Sequence, residues 1–319
     1  MLERLPECSW SKLRKLDLHN ANLAGQLPVW IGNLTNLSYL DISWNMLVGH
    51  VPFGMGNMRS LSYLDLSQNR LVGSLSSGIG NMRSLSYLDL SQNRLVGSLP
   101  SGIGNMRSLS YLDLSQNMLA GDVPRGLGAL SNLTYFSLGL NNFSGVLSKD
   151  HFADLTEGHF GSCDMGPQFP AWLRWQTGIR ILDISNTRIN DVLPHWKFWV
   201  VVSIASSLDL SRNQHSGGLP ANLELPFIEE MDLSRNSFTG KLRANIITSP
   251  LKNLLLYNNN FTGPIPEYLY DKIYVQVPSG DQQGCLSKET WRRRDMRFFF
   301  RLAQLFLNPF LLFLFLLPF

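Results

Sequence analysis

A stretch of 24 residues recurs almost unchanged along the chain. Residues 56–79 are GNMRSLSYLDLSQNRLVGSLSSGI, and residues 80–103 repeat them with one difference, Pro100 in place of Ser76. A third copy begins at Gly104 and stays identical as far as Asn117. A chain that repeats a short unit folds by stacking the units, because no single unit can bury its own apolar face. The sequence therefore predicts one elongated body.

The same spacing of apolar residues extends well beyond the three copies. The pattern LxxLxLxxNxLxGxLP aligns in eleven registers, with steps of 22 to 26 residues. Their first positions are Leu13, Leu37, Leu61, Leu85, Leu109, Leu133, Leu155, Ile179, Ala205, Ile228 and Leu251. This period and leucine spacing are typical of leucine-rich repeats. We expect an α/β fold over residues 1–270, a right-handed solenoid with a parallel concave β-sheet and short helical turns on the convex side.

Each position of the unit has a physical reason. Leu64 and Leu66 alternate along a short strand, so both point into the core, and the following turn buries Ile79 and Met82. Glycine after the strand permits a tight bend, and the proline of the LP or VP pair suits a turn or an edge. The asparagine after each strand can satisfy backbone groups that leave the ladder. This predicted asparagine ladder comprises Asn45, Asn69, Asn93, Asn117, Asn141, Asn213, Asn236 and Asn259.

The pattern fails near residues 148–178. Leu155 both closes the sixth repeat and opens the seventh, whose strand would contain Gly158, a poor residue for a strand interior. Either a repeat has been lost here or the segment forms an irregular island. Residues 169–176 and 195–199 hold four of the eight tryptophans, which indicates core packing of an irregular repeat or a surface for a partner.

The charge of the chain is concentrated near its end. The net charge is +3, but residues 285–301 alone carry six basic and two acidic residues, so the remainder has a net charge near −1. This distribution does not predict nucleic-acid binding, which needs basic residues spread over a surface. We assign residues 271–291 to a linker and residues 292–319 to a basic stretch with an apolar tail. The tail is a candidate membrane segment, and the alternative is an aberrant end from a misread gene boundary.

The repeat has a more specific form than the general pattern. The stretch LSYLDLSQNRLVGSLPSGIGNMRSL resembles the plant-specific subclass of receptor-like proteins and receptor kinases. The stretch GSCDMGPQFPAWLRWQTGIRILDISNTRIND is similar to grass receptor-like proteins related to xylanase-elicitor receptors. Together the resemblance covers about residues 13–270.

This resemblance implies a secreted ectodomain at the plasma membrane, with one membrane span and no kinase of its own. It implies a peptide or protein ligand and signalling through a co-receptor kinase in defence or development. The chain departs from that plan at both ends, since no signal segment precedes the repeats and Cys8 has no partner for a capping pair. The basic residues also precede the apolar tail, which predicts cytosolic repeats if the sequence is complete. We therefore expect a truncated member of the family.

Stacking at about 4.8 Å per strand aligns exposed residues into columns on the concave face. One column comprises Tyr39, Tyr63, Tyr87, Tyr111 and Tyr135. A second comprises Asp41, Asp65, Asp89, Asp113, Asp183, Asp209 and Asp232. We predict that these columns, with Trp44 beside them, bind the ligand, and the alternative is a surface fixed only by the repeat consensus. Specificity would come from non-repeated positions such as Phe136, Leu140, Arg188 and Tyr257.

Other motifs narrow the function. Five Asn-x-Ser/Thr sequons, at Asn33, Asn36, Asn132, Asn142 and Asn260, are typical of a secreted ectodomain, or else arise from the repeat consensus. The six histidines are scattered, and no GxSxG, HExxH or P-loop is present, so no catalytic site, metal or cofactor is predicted. Two rivals to the receptor remain: a secreted protein resembling polygalacturonase inhibitors, and a truncated product without function.

Overall fold

The computed structural model describes residues 12–145, 147–148, 151–152, 155–194, 198–220, 223–242 and 250–262. The linker and the apolar tail assigned to residues 271–319 lie outside these ranges, as do Cys8 and Cys285. Within them the chain forms three sheets of parallel strands joined by short turns.

The largest sheet has eleven parallel strands. They are β1 (Lys15–Asp17), β3 (Tyr39–Asp41), β5 (Tyr63–Asp65), β7 (Tyr87–Asp89), β9 (Tyr111–Asp113), β11 (Tyr135–Ser137), β13 (Glu157–His159), β14 (Ile181–Asp183), β15 (Ser207–Asp209), β17 (Glu230–Asp232) and β19 (Asn253–Leu255). Each strand begins two residues after the first position of one of the eleven sequence registers. The predicted solenoid with a parallel concave sheet is confirmed.

Two smaller sheets follow the concave strands on the flank of the solenoid. The first contains β2 (Ala24–Gln26), β4 (Met46–His50), β6 (Arg70–Gly73), β8 (Arg94–Gly97), β10 (Met118–Asp122) and β12 (Asn142–Ser144). The second contains β16 (Ser216–Gly218), β18 (Ser237–Lys241) and β20 (Asn260–Thr262). No strand joins the two across the described part of residues 145–215, apart from an isolated bridge between Val192 and Ser216. The concave sheet is therefore continuous, whereas the flanking sheet is interrupted.

Short 3₁₀ turns form the convex side, together with one helical turn, α1 (Phe198–Val201). The 3₁₀ turns span Val29–Asn33, Phe53–Asn57, Ser77–Asn81, Ser101–Asn105, Arg125–Ala129 and Ala171–Trp175. The residue before each turn has extended backbone, with φ −66° at Pro100 and φ −72° at Ser76. The one difference between the two near-identical copies thus leaves the backbone extended at this position in both.

The core lies between the concave strands and the convex turns. Leu64 and Leu66 are buried, as are Ile79 and Met82, which confirms the predicted inward positions. The same four positions are buried in the next repeat. Burial of one such side chain contributes roughly 1.5–3 kcal/mol relative to its exposure to water. Because adjacent repeats share these contacts, stacking rather than any single repeat supplies the stability.

The irregular segment keeps the strand register despite its glycine. Gly158 pairs with Phe136 on one side and Leu182 on the other. A Cβ atom at Gly158 would lie 2.8 Å from the ring of Phe160, so this ring occupies the space of the missing side chain. Phe160 in turn packs against Trp172 at 5.4 Å between ring centroids. Trp172 is thus a core residue, whereas Trp175 in the same turn is mostly exposed.

Candidate ligand-binding surface

The tyrosine column is the most regular feature of the concave face. The first residues of β3, β5, β7, β9 and β11 are directly paired in register. Their rings stack face to face, with centroids 4.1 to 4.3 Å apart and planes tilted by 8 to 11°. Lys15 covers the free face of Tyr39 at 4.1 Å, and His159 packs against Tyr135 at 5.1 Å.

This stacking changes what the column can offer a ligand. A ring that is covered on both faces cannot stack on a further aromatic group or on the apolar face of a sugar. The ring edges and hydroxyl groups remain, since each tyrosine is only partly buried. The sequence predicted an aromatic column, but the column presents a row of polar edges instead of open faces.

The aspartate column is less exposed than the strand pattern predicts. Asp41, Asp65, Asp89 and Asp113 are 7–8% exposed. Each carboxylate accepts a hydrogen bond from a backbone N–H two residues on, as from Ser67 to Asp65 at 2.9 Å. The hydroxyl groups of Tyr39, Tyr87 and Tyr135 also lie 3.2 to 3.5 Å from aspartate oxygens. Along the tyrosine column these carboxylates hold the turn after the strand and are shielded from a ligand.

Burial also raises the pKa of carboxyl groups of this column, among them Asp89 and Asp209. It raises the pKa of Asp89 to about 7, and the neighbouring carboxylates Asp65 and Asp113 add to the effect. Burial raises the pKa of Asp209 to about 6. Asp183, Asp209 and Asp232 are only partly buried, because Ile181, Ser207 and Glu230 replace tyrosine beside them. The second half of the sheet therefore exposes more carboxylate surface than the first half.

The asparagines occupy the interior of the turn that follows each concave strand. Asn69 accepts a hydrogen bond from the Leu47 N–H at 3.0 Å, which reaches it from the preceding repeat. Its amide nitrogen lies 3.0 to 3.1 Å from the carbonyl oxygens of Ile42, Leu66 and Ser67. The equivalent contacts recur at Asn45, Asn93, Asn117, Asn141, Asn213, Asn236 and Asn259. These side chains hold the turns together and lie beneath the concave face.

Two ladder positions were missed by sequence reasoning. Cys163 and Thr187 stand eight residues after their registers begin, where the first repeat has Ala21 and the other eight repeats have asparagine. The Cys163 thiol donates to the Leu138 carbonyl at 3.4 Å, and the Thr187 hydroxyl donates to the Ile184 carbonyl at 2.8 Å. Burial raises the pKa of the Cys163 thiol to about 12, which keeps it protonated as a donor. Counting eight residues from each register would have identified both.

The rim of the concave sheet carries the exposed non-repeated side chains. Trp44 and Leu140 are 56% and 57% exposed, and both have positive φ, as do the glutamines between them. Arg188 is also exposed, and Tyr257 is partly buried beneath Arg235. The expectation that Phe136 contributes to specificity is wrong, because this residue lies at the centre of β11 and is fully buried. Its neighbour in register, Leu112, is buried in the same core.

Comparison with known proteins agrees with this architecture. Family profiles described as leucine-rich repeats match residues 11–71, 84–106, 108–130 and 250–271. The chain has the fold of a leucine-rich-repeat protein. Two curated relatives, the receptor-like proteins EIX2 and EIX1 of Solanum lycopersicum, are each 46% identical to it over 56 residues. That match covers 18% of this chain and 5% of each relative, so the chain aligns with a small part of them. It confirms the resemblance to plant receptor-like proteins over that segment.

Solved plant receptors have the same fold as this leucine-rich-repeat protein. The Arabidopsis receptor kinase HAESA, in complex with the peptide hormone IDA and the co-receptor SERK1, has 27% identity and a TM-score of 0.71. That match covers 82% of this chain and 45% of HAESA. The peptide hormone receptor RGFR1, in complex with RGF2, has 26% identity and a TM-score of 0.62, over 77% of this chain and 43% of the receptor. A plant ice-binding protein, at 23% identity and a TM-score of 0.56, shares the fold alone.

The five sequons of this leucine-rich-repeat protein lie on its surface. Asn33 and Asn132 are at or near the ends of convex turns, and Asn36 precedes the strand β3. Asn142 and Asn260 begin β12 and β20, which are edge strands of the flanking sheets. All five side chains are exposed, so a glycan could be attached at each without disturbing the core. Their modification stays a prediction.

The described residues contain neither a metal-binding cluster of three or more histidine, cysteine or acidic side chains nor a helix long and apolar enough to cross a membrane. The predicted membrane segment falls in residues 292–319, which the structure does not describe.

Proposed function

We propose that this leucine-rich-repeat protein is a non-catalytic recognition module that binds a peptide or protein ligand on its concave face. The observation that carries this proposal is the unbroken eleven-stranded sheet, with exposed, non-repeated apolar side chains at its rim. Trp44 and Leu140 expose large apolar surfaces there, and such surfaces mark sites of interaction when they are accessible. The similarity to HAESA and RGFR1, which are solved with peptide hormones, supports the same class of ligand.

The ligand would meet two chemically different halves of the sheet. Over β3 to β11 it would contact tyrosine edges and hydroxyl groups, with Trp44 and Leu140 at the rim. Over β14 to β17 it would meet partly exposed carboxylates beside the exposed Arg212 and Arg235. The exposed side chains of the second half differ from repeat to repeat, so this half can distinguish one peptide sequence from another. We place specificity in that half and general affinity in the first.

Signalling through a partner kinase belongs to the same proposal. The HAESA complex contains the co-receptor SERK1, which supports a co-receptor kinase as the partner of this chain. The exposed sequons and the similarity to plant receptor-like proteins support an extracellular position at the plasma membrane. The experiment for this part is expression of the tagged full chain in plant cells, followed by endoglycosidase digestion and membrane fractionation. A chain without glycan in the cytosol would contradict it.

Ligand binding can be tested by capture from apoplastic fluid. The immobilised full chain is incubated with the peptide fraction, and bound peptides are identified by mass spectrometry and resynthesised. We expect the double variant Trp44→Ala, Leu140→Ala to lose most of the binding of a resynthesised peptide. The matched control is Val29→Ala, Phe53→Ala, which removes exposed apolar side chains from the convex turns. Equal binding by both double variants would contradict a concave site.

The same preparation distinguishes the receptor from its rival. A soluble ectodomain of SERK1 is added with and without the resynthesised peptide, and complex formation is measured by size-exclusion chromatography. Peptide-dependent association supports a receptor that signals through a co-receptor. Stable capture of a polygalacturonase instead of a peptide would favour a secreted inhibitor. Absence of both interactions would contradict the proposed function as a whole.

A further inference from the structure

The exposed charge of the near-identical repeats is entirely positive. Between residues 42 and 121 the acidic residues are Asp65, Asp89 and Asp113, and all three are buried. The basic residues of this stretch are five exposed arginines: Arg59, Arg70, Arg83, Arg94 and Arg107. None of the ion pairs among the described residues includes any of these arginines. By contrast, Arg188 and Lys252 in the second half are paired with Asp164 and Glu229.

Three of the arginines form a row beside the N-terminal ends of three neighbouring concave strands. Arg59, Arg83 and Arg107 each precede a concave strand by four residues, in three consecutive repeats. The backbone N–H groups of Arg59 and Arg83 donate to the carbonyls of Asn57 and Asn81 at 2.8 and 2.9 Å, so the two turns are alike. Neighbouring strands of a sheet lie about 4.8 Å apart, which sets the approximate spacing of the row.

Each arginine of the row has the same exposed polar neighbours. In every copy an exposed asparagine lies two residues before the arginine and an exposed serine directly follows it. The asparagines are Asn57, Asn81 and Asn105, and the serines are Ser60, Ser84 and Ser108. A guanidinium group can bind a carboxylate with two parallel hydrogen bonds. The asparagine amide and the serine hydroxyl can each donate to and accept from hydroxyl groups. Each arginine, together with its asparagine and serine, can therefore bind a ligand unit that carries one carboxylate and several hydroxyl groups.

We propose that the row Arg59, Arg83 and Arg107 binds a linear acidic polysaccharide, a polyuronate with one carboxylate on each sugar unit. Three identical surfaces in succession cannot distinguish the units of a varied ligand, but they suit a ligand whose units are themselves identical. The summed contacts act as one multivalent site, in which each added unit binds with the high effective concentration of its neighbours. This site is separate from the peptide ligand proposed above and does not depend on it.

Two other linear ligands fit the row less well. Single-stranded nucleic acids bind by stacking bases on aromatic faces, and the tyrosine faces beside this row are covered by one another. An extended peptide places side chains on one face about every 6.8 Å, which does not match a row spaced at about 4.8 Å. A polyuronate needs no open aromatic face, because its carboxylates can bind the guanidinium groups and its hydroxyls can bind the neighbouring asparagine and serine side chains.

The test measures binding of a short polygalacturonate oligomer to the full chain at low salt. We expect the triple variant Arg59→Gln, Arg83→Gln, Arg107→Gln to bind roughly 3- to 150-fold more weakly, since it removes three exposed ion pairs that each contribute modestly. The matched control is Arg70→Gln, Arg94→Gln, Arg125→Gln, which removes the same charge from exposed positions outside the row. We expect the control to retain most of the affinity. Thermal unfolding of both variants establishes that the fold is unchanged.

Several outcomes would overturn the inference. If both triple variants lose affinity equally, the attraction is general electrostatics and the row is not a site. If the fully methyl-esterified oligomer binds as well as the acid form, the arginines do not read the carboxylate. If a single-stranded oligonucleotide of equal charge binds as tightly, the ligand is not a polyuronate. Loss of affinity confined to the row, together with preference for the acid form, supports the proposal.

Discussion

The three near-identical repeats and the segment Glu157–Asp191 contribute strands to the same concave sheet, yet only the former continue into the flanking sheet. The difference coincides with one glycine. In the identical repeats Gly73 and Gly97 end strands of the flanking sheet with φ of 83° and 82°. The equivalent positions of the irregular segment, four residues after the ladder position, are Pro167 and Asp191. Proline fixes φ near −65° and has no N–H to donate, so it cannot take this role.

The two regions also differ in how the buried backbone N–H and C=O groups of the interior are hydrogen-bonded. In the near-identical repeats each asparagine makes several hydrogen bonds to two successive repeats. Neighbouring convex turns also lie close together, because their glycine backbones are in contact. A Cβ atom at Gly80 would lie 2.2 Å from the carbonyl oxygen of Gly102. In the irregular segment the Cys163 thiol donates to the Leu138 carbonyl, and Trp172 stands at the position that is Gly78 in the copies. The concave strand and the convex turn Ala171–Trp175 thus tolerate these changes, whereas the flanking sheet does not.

The most severe test of this difference between the two regions places a proline at the glycine that ends a flanking strand in a regular repeat. We expect Gly97→Pro to lower the free energy of unfolding by about 3 kcal/mol or more, because φ of 82° is inaccessible to proline. Chemical denaturation gives the loss, and hydrogen exchange locates it. Exchange should rise in β6, β8 and β10 and stay low in the concave strands β7 and β9. The control Gly97→Ala should cost only about 1–2 kcal/mol. Uniform exchange in both sheets would contradict independent behaviour of the flanking sheet.

The asparagine ladder gives the next largest expected effect. Asn93→Ala removes the acceptor of the Leu71 N–H at 3.0 Å and the donor to the carbonyls of Leu66 and Leu90. Leaving buried polar groups unsatisfied costs about 1–3 kcal/mol each, so the loss of partners for three groups should cost at least about 3 kcal/mol in total. Cys163→Ala, at the same position of the irregular segment, should cost only about 1 kcal/mol. Equal losses of unfolding free energy in urea denaturation would contradict this, because they would show that the two ladder positions contribute equally to stability.

Sequence reasoning reached the repeat architecture because the leucine spacing and the stacking requirement leave little freedom. All eleven registers gave a concave strand, including the one that contains Gly158. The surface was harder to predict, because exposure depends on side-chain packing between repeats. Tyrosines that recur every 24 residues cover one another, and they shield the aspartates beside them. Phe136 stands at a strand centre in the pattern, so its burial could have been predicted from Leu112 in the preceding repeat.

A buried histidine makes the second half of the solenoid sensitive to acid. His215 lies in the core between Phe169 and Phe238, and burial lowers its pKa from 6.5 to about 4. Between these values the unfolded chain takes up a proton that the folded chain resists, so this residue makes stability fall as pH falls from 6.5 to 4. We expect His215→Phe to remove that contribution. The measurement is the difference in unfolding free energy between the two proteins at a series of pH values.

Asp89 acts in the opposite direction, and its effect must be separated from that of His215. The pKa of Asp89 is raised to about 7, so its contribution to stability is present at low pH and is lost as pH rises through 7. Because Asp89 is unchanged in the His215→Phe variant, its contribution cancels when the variant is compared with the wild type. The difference should therefore grow steadily from pH 6.5 to 4. A difference that is independent of pH would contradict the assignment to His215.

The smallest expected effect concerns the tyrosine column, which the irregular segment lacks because Glu157 replaces tyrosine there. The Tyr87 hydroxyl is 3.5 Å from Asp89, too long to contribute much, so Tyr87→Phe should change the free energy of unfolding by less than about 0.5 kcal/mol. Tyr87→Ala removes two stacked contacts, to Tyr63 and Tyr111, and should cost about 1–3 kcal/mol. A large loss of unfolding free energy in the phenylalanine variant would mean that the tyrosine hydroxyl groups stabilise the sheet. A small one leaves the hydroxyl groups free to bind a ligand, because a group that adds little to folding can exchange its partner at little cost.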